Sequence, residues 1–184
     1  AQLLNKSEIY SKLISYPCQS NLSKVWRIIA LSEIPGSYVD EFTQELTSDI
    51  QRKLFTGNAF SLTENDDGIL PCYNAMIISA LCKLTKINKN ISSGVEWILK
   101  FQPFNREMES SWCGASTKKY GGCFKSVPCY IGIVKSLAAL IEYNHQNNDS
   151  EVEKRISDGM EYILTHQLYK RLSNGEPITR HILD

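Results

Sequence analysis

What this chain lacks narrows it first. No window approaches the ~20 consecutive apolar residues of a membrane-spanning helix, and the opening stretch AQLLNKSEIYSKLISYPC holds no unbroken run of signal-peptide length. Neither export nor spanning is expected, and the cytoplasm is the expected compartment. Surplus charge is missing too: twenty Lys and Arg meet twenty Asp and Glu. A nucleic-acid partner is therefore not expected, because phosphate backbones are held mainly by excess cationic charge. No stretch alternates apolar and polar residues at sheet spacing, and no Cys-x-x-Cys occurs. Six cysteines without a secretory signal need not form a disulfide framework, so a reducing compartment is expected.

What is present is a balanced globular composition, 42% apolar, 22% charged and 10% aromatic over 184 residues. That is the size of one domain, taken as residues 1–184, and it excludes a disordered or collagen-like chain.

The strongest internal signal is repetition. Pro71-Cys72-Tyr73 recurs as Pro128-Cys129-Tyr130, an offset of 57, and each triplet opens an apolar segment. GVEWILKFQ, from Gly94, recurs as GMEYILTHQ, from Gly159, at an offset of 65 with five of nine positions identical. The growing offset places an insertion near Asn144 to Ser150, where Asn-rich residues read as a loop. Tyr73, Met76, Ile77, Leu81 and Leu84, then Tyr130, Ile133, Val134, Leu137, Leu140 and Ile141, follow the spacing of a helix with one apolar face. Proline suits a helix start, and Ser93 with Glu96 and Ser150 with Glu153 read as capping boxes for the second helices. The repeat is a helical hairpin, predicted at about 20–55, 71–102 and 128–168, with Ser7 to Ser15 as the outer helix of an earlier one. The predicted class is all-α, repeated antiparallel helical hairpins. Long connections at Thr56 to Leu70 and Pro103 to Val127 read as functional or mobile loops.

The run KKYGGCFKSVPCYIGIVKSLAALIEY, then RISDGMEYILTHQLYKR, preceded by LPCYNAMIISALCKL and GVEWILKFQ, resembles the prenyltransferase-like and squalene-cyclase-like repeat proteins of microbes. The resemblance covers about Asp66 to Arg171. It implies a partial or complete α/α toroid of inner and outer helices around a central cavity, built in that family from around six hairpins. With little more than half that number here, the ring would be incomplete, closed by a second copy as a homodimer, or cut short. The loop-like end RLSNGEPITRHILD, where family members continue, favours truncation.

The resemblance implies an isoprenoid or other apolar ligand between the inner helices. Its alternative is a non-catalytic helical-repeat scaffold that holds a protein or peptide. A cyclase needs a carboxylic acid kept protonated by burial and neighbouring carboxylates, and the nearest candidates are Asp66 and Asp67, in Glu64-Asn65-Asp66-Asp67 rather than Asp-x-Asp-Asp. The Gln-Trp motifs of true cyclases are absent. A prenyltransferase needs Zn²⁺, held in that family by Asp, Cys and His. Trp112-Cys113-Gly114 is the closest local match, but Ser111 stands where the resemblance would place Asp nearby. Cys72 and Cys129 occupy equivalent places at two inner-helix starts, and the loop carrying Cys113 and Cys123 must return to that same end. Four converging thiols are compatible with zinc, with a redox pair, or with buried thiols that bind nothing. Tyr73, Trp112, Tyr120, Phe124 and Tyr130 are candidates to line a cavity mouth there, with aromatic core packing as the other reading.

Overall fold

Among the residues the computed structural model describes, namely Leu4, residues 7–104 and residues 129–178, the chain is all helical. Regular strands are absent from them, and only two isolated bridges occur, Phe55 with Phe60 and Lys170 with Pro177. The helices are α1 (Glu8–Ser15), α2 (Asn21–Ser32), α3 (Glu41–Lys53), α4 (Pro71–Leu84), α5 (Lys89–Phe101), α6 (Tyr130–Asn147) and α7 (Ser150–Thr165).

Local chemistry sets their ends. The Ser20 and Ser23 side chains exchange hydrogen bonds with each other's backbone N–H at the start of α2. Asp40 caps α3, whose last turn carries Arg52 and Lys53 against the negative end of the helix dipole. Pro71 opens α4, where its missing N–H would have had no intrahelical partner. Two starts differ from the capping boxes read in the sequence. Asn88 rather than Ser93 caps α5, receiving the backbone N–H groups of Asn90 and Ile91, so Ser93 lies inside the helix. Asp149 rather than Ser150 caps α7, receiving those of Glu151 and Val152. Asn and Asp accept as well as Ser does, so residue type alone could not choose between neighbouring candidates.

The expected loop at Asn144 to Ser150 is mostly helix. Helix α6 runs for 18 residues against 14 for α4 and stops only at Asn148, whose φ of 49° is left-handed. The insertion thus lengthens helices instead of the turn. The register between repeats already differs before that insertion. Asn74, Ile77, Ile78 and Leu81 are buried on α4, and their buried counterparts on α6 are Ile133, Ser136, Leu137 and Leu140, 59 positions on. At the offset of 57 set by the Pro-Cys-Tyr triplets stand Ile131, Val134, Lys135 and Ala138, all exposed.

Packing follows these faces. Helix α4 lies between α2 and α6, and its contact with α6 is the most extensive in the fold. Each of these three helices also packs on the helix that follows it, α2 on α3, α4 on α5 and α6 on α7. Helices α2, α4 and α6 thus share one layer, backed by their hairpin partners. Glycine permits the close approach in two hairpins: a Cβ on Gly94 would stand 2.9 Å from Ile78 Cδ1, and one on Gly159 would stand 3.1 Å from Leu137 Cδ1. The Thr56 to Leu70 connection is not a loose loop, since Ala59, Phe60, Ser61, Ile69 and Leu70 are buried in it. Asn74, fully buried, pins it by accepting from the Phe60 N–H at 3.0 Å while donating to the Gly94 carbonyl at 3.1 Å.

Replacing Asn74 with Ala leaves the buried Phe60 N–H without its partner and removes a second bond to the Gly94 carbonyl, and is expected to cost about 1–3 kcal/mol. Gly94→Ala is expected to cost about 1–3 kcal/mol, although alanine is the better helix former by ~1 kcal/mol, because Ile78 must move. Urea denaturation midpoints of the two variants against the parent chain measure both effects.

Candidate functional site

Helices α2, α4 and α6 each keep one strip that no described helix fully covers. On α2 it carries Trp26 and Ile29, on α4 Met76 and Ser79, and on α6 Lys135 and Ala138; together with Ala80 and Ser32 these residues line a cleft of ≈ 270 Å³ across the layer. Ile131, 46% exposed, and Val134 extend the strip on α6. One end of the cleft is tied by charge. Lys83, in the last turn of α4, reaches Glu33 at the end of α2 at 2.7 Å and Glu142 of α6 at 3.6 Å. Glu33 is the larger cause, and Glu142 a further one, of the rise in the Lys83 pKa above its ordinary value. Beside them, burial pushes the Cys82 thiol up to about 12, with the Glu142 charge adding to the effect.

At the other end lie the starts of α4 and α6. A Cβ on Gly132 would sit 3.5 Å from the Pro71 Cβ and 3.7 Å from the Cys129 Cβ, so the two helix starts touch. Cys72 is in the first turn of α4, but Cys129 is the residue before α6. The two thiols therefore share an end of the fold without sharing a helical position, a correction that follows from the register of 59. Cys113, Cys123, Trp112, Tyr120 and Phe124 lie outside the described residues. Among the described residues no cluster of three or more Cys, His, Asp or Glu side chains is placed to hold a metal, so Cys72 and Cys129 do not by themselves make a zinc site.

Tyr73 is half-buried against the core. Tyr130 is buried, its hydroxyl donates to the Leu168 carbonyl, and burial raises its pKa. Its ring packs with Tyr162 and His166, whose Nδ1 lies 2.7 Å from the Lys170 carbonyl. Neither tyrosine is among the residues lining the cleft described above. His166, read in the sequence as a residue on a helix face, instead caps the end of α7 and is buried. Asp66 and Asp67 fall in a short 3₁₀ turn, Asp66–Gly68, where Asp66 accepts from Asn58 at 3.0 Å and Asp67 is exposed.

The cleft went unrecognised in the sequence because Met76 and Val134 were assigned there to the buried faces. The available signal was the number of apolar residues lying off the main stripe, Trp26, Ile131 and Val134 among them.

A second electrostatic cluster braces the wall behind α2. Lys24 reaches Asp49 at 2.6 Å, and Lys24, followed by Lys53 and Arg52, holds the Asp49 carboxyl well below the usual carboxylate range. No protein-family model, curated protein or solved structure matches the chain. No described helix is long and apolar enough to cross a membrane.

The depressed Asp49 pKa implies stability that is fully present above about pH 5 and is lost as pH falls through the unfolded carboxylate value near ~3.9 toward the folded one. Asp49→Asn is expected to lower stability by about 1–2 kcal/mol at pH 7, and its deficit should shrink steadily below about pH 4 when thermal midpoints are followed with pH. The Cys82 thiol should resist iodoacetamide at pH 8 in the native protein and react on unfolding, as peptide mass mapping would show.

Proposed function

We propose that this chain is a non-catalytic helical-repeat scaffold, part or all of an α/α toroid, whose inner layer holds the apolar side of an amphipathic helix from a protein partner. The observation that carries the reading is the apolar strip across α2, α4 and α6, where Trp26, Ile131 and Val134 are exposed and Ile29 and Met76 half-buried. Contiguous exposed apolar surface of this kind marks interaction sites, and an amphipathic helix laid in a groove covers it with i, i+3, i+4 anchors. The Lys83 tie with its two carboxylates gives one end of the groove a polar rim.

At ≈ 270 Å³ this cleft falls below the usual volume of small-molecule sites. Asp67 is exposed on a polar turn, and the half-buried Asp66 is bonded through one carboxylate oxygen to Asn58. The second reading, an isoprenoid or similar apolar chain between the inner helices, is favoured by the resemblance of Asp66 to Arg171 to prenyltransferase-like repeats. It requires further hairpins or a second copy to roof the cleft.

A photo-crosslinking amino acid placed at Met76 or Val134, with Glu151 on the exposed side of α7 as control, tests this in cells. Adducts of protein mass at positions 76 and 134 but not at 151 are expected. Adducts of lipid mass would support the isoprenoid reading, a doubled mass would identify a second copy, and equal or absent adducts at all three positions would remove the inner layer as a binding face.

A further inference from the structure

A second cleft lies away from the α2, α4 and α6 layer. It lies between α1 and the first two turns of α2, holds ≈ 660 Å³, and is spanned at one side by the Tyr16-Pro17 link. That volume is within the usual range for small-molecule sites. Ile9, Leu13, Tyr16, Pro17 and Trp26 make its walls apolar, and Ile9, Tyr16 and Trp26 are well exposed. Arg27 stands out among the lining residues because it is only 8% exposed.

A buried guanidinium is normally met by a carboxylate, since burying an unpaired charge is costly. Arg27 has none within ion-pairing distance among the described residues. It donates from one terminal nitrogen to the Tyr16 carbonyl and lies over the Phe42 ring at 5.6 Å. With five N–H donors on the group, those contacts leave capacity for a planar anion. Glu45 and Asp49 line a neighbouring cleft that Arg27 also walls, but Asp49 is engaged by Lys24, Arg52 and Lys53. Lys12 at the rim is paired with Glu8 at 2.6 Å. Ser20 and Ser23, at the start of α2, add the positive end of its dipole to the same wall.

From these observations we infer that the α1/α2 groove binds a long-chain carboxylate, its acyl chain lying along Ile9, Leu13, Tyr16 and Trp26 and its carboxylate meeting Arg27. The apolar walls give affinity for any chain of suitable length, and the guanidinium selects the acid over its neutral analogue. This site is separate from the inner-layer cleft, although Trp26 borders both.

Calorimetric titration of the intact chain with dodecanoate and with dodecanol, both below their aggregation limits, tests it. One-to-one binding of dodecanoate, about tenfold tighter than dodecanol, is expected. Arg27→Gln should abolish that preference while leaving dodecanol binding in place. Because Arg27 also holds the Tyr16 carbonyl, a second variant on the exposed face of α1, Ile9→Asp, guards against misfolding of the first. It should weaken dodecanoate several-fold by charge repulsion and keep the parent's circular dichroism. Equal affinity for acid and alcohol, no binding below ~1 mM, a folded Arg27→Gln chain that keeps the preference, or uptake only onto anionic vesicles would each overturn the inference.

Discussion

The fold depends on how tightly α4 can be enclosed. That helix meets α2 on one flank, α6 on the other and α5 behind, and Gly94 lets α5 come close by bringing backbone where another residue would press on Ile78. Where the two helices approach, Asn74 of α4 donates an additional hydrogen bond to the Gly94 carbonyl of α5. By accepting from Phe60 as well, Asn74 fastens the long connection before α4 to the core. One buried amide therefore joins three segments that are distant in sequence.

The same enclosure explains how much could be read in advance. Helical periodicity was legible, because apolar residues at i, i+3 and i+4 around Ile77 and Leu137 form one face of a helix. Cap identity was not, since Asn88 and Asp149 compete with serines a few residues away on nearly equal chemical terms. The register between copies misled for a more instructive reason. Pro71-Cys72-Tyr73 and Pro128-Cys129-Tyr130 are alike as strings, yet the helices begin at Pro71 in one case and at Tyr130 in the other. Burial, not textual likeness, fixes helical phase, and an inner helix that is apolar nearly all round gives few polar positions by which to detect the shift.

The candidate surfaces were hidden in the sequence by that ambiguity. A methionine or valine on a helix with two apolar sides is counted as core until neighbours are placed around it, and Met76 and Val134 were counted so. Arg27 was missed in the opposite way. A lone arginine in NLSKVWRIIALS looks like the solvated side of an amphipathic helix, and only the fold of Tyr16-Pro17 over it, with Phe42 beneath, shows that it is inside. The aspartates at 66 and 67 illustrate the converse, conspicuous as letters but located on a surface turn.

The two ends of the inner layer are fastened by unlike forces. Where α4 and α6 begin, Gly132 lies against Pro71 in van der Waals contact; where α4 ends, Lys83 draws Glu33 and Glu142 together through Coulomb attraction across partly wet side chains. Dissolved electrolyte weakens the second fastening and leaves the first untouched. Ionic strength thus changes how firmly that end is held, while Gln146, donating to the Cys82 carbonyl at 2.6 Å, keeps α6 bonded to α4 there.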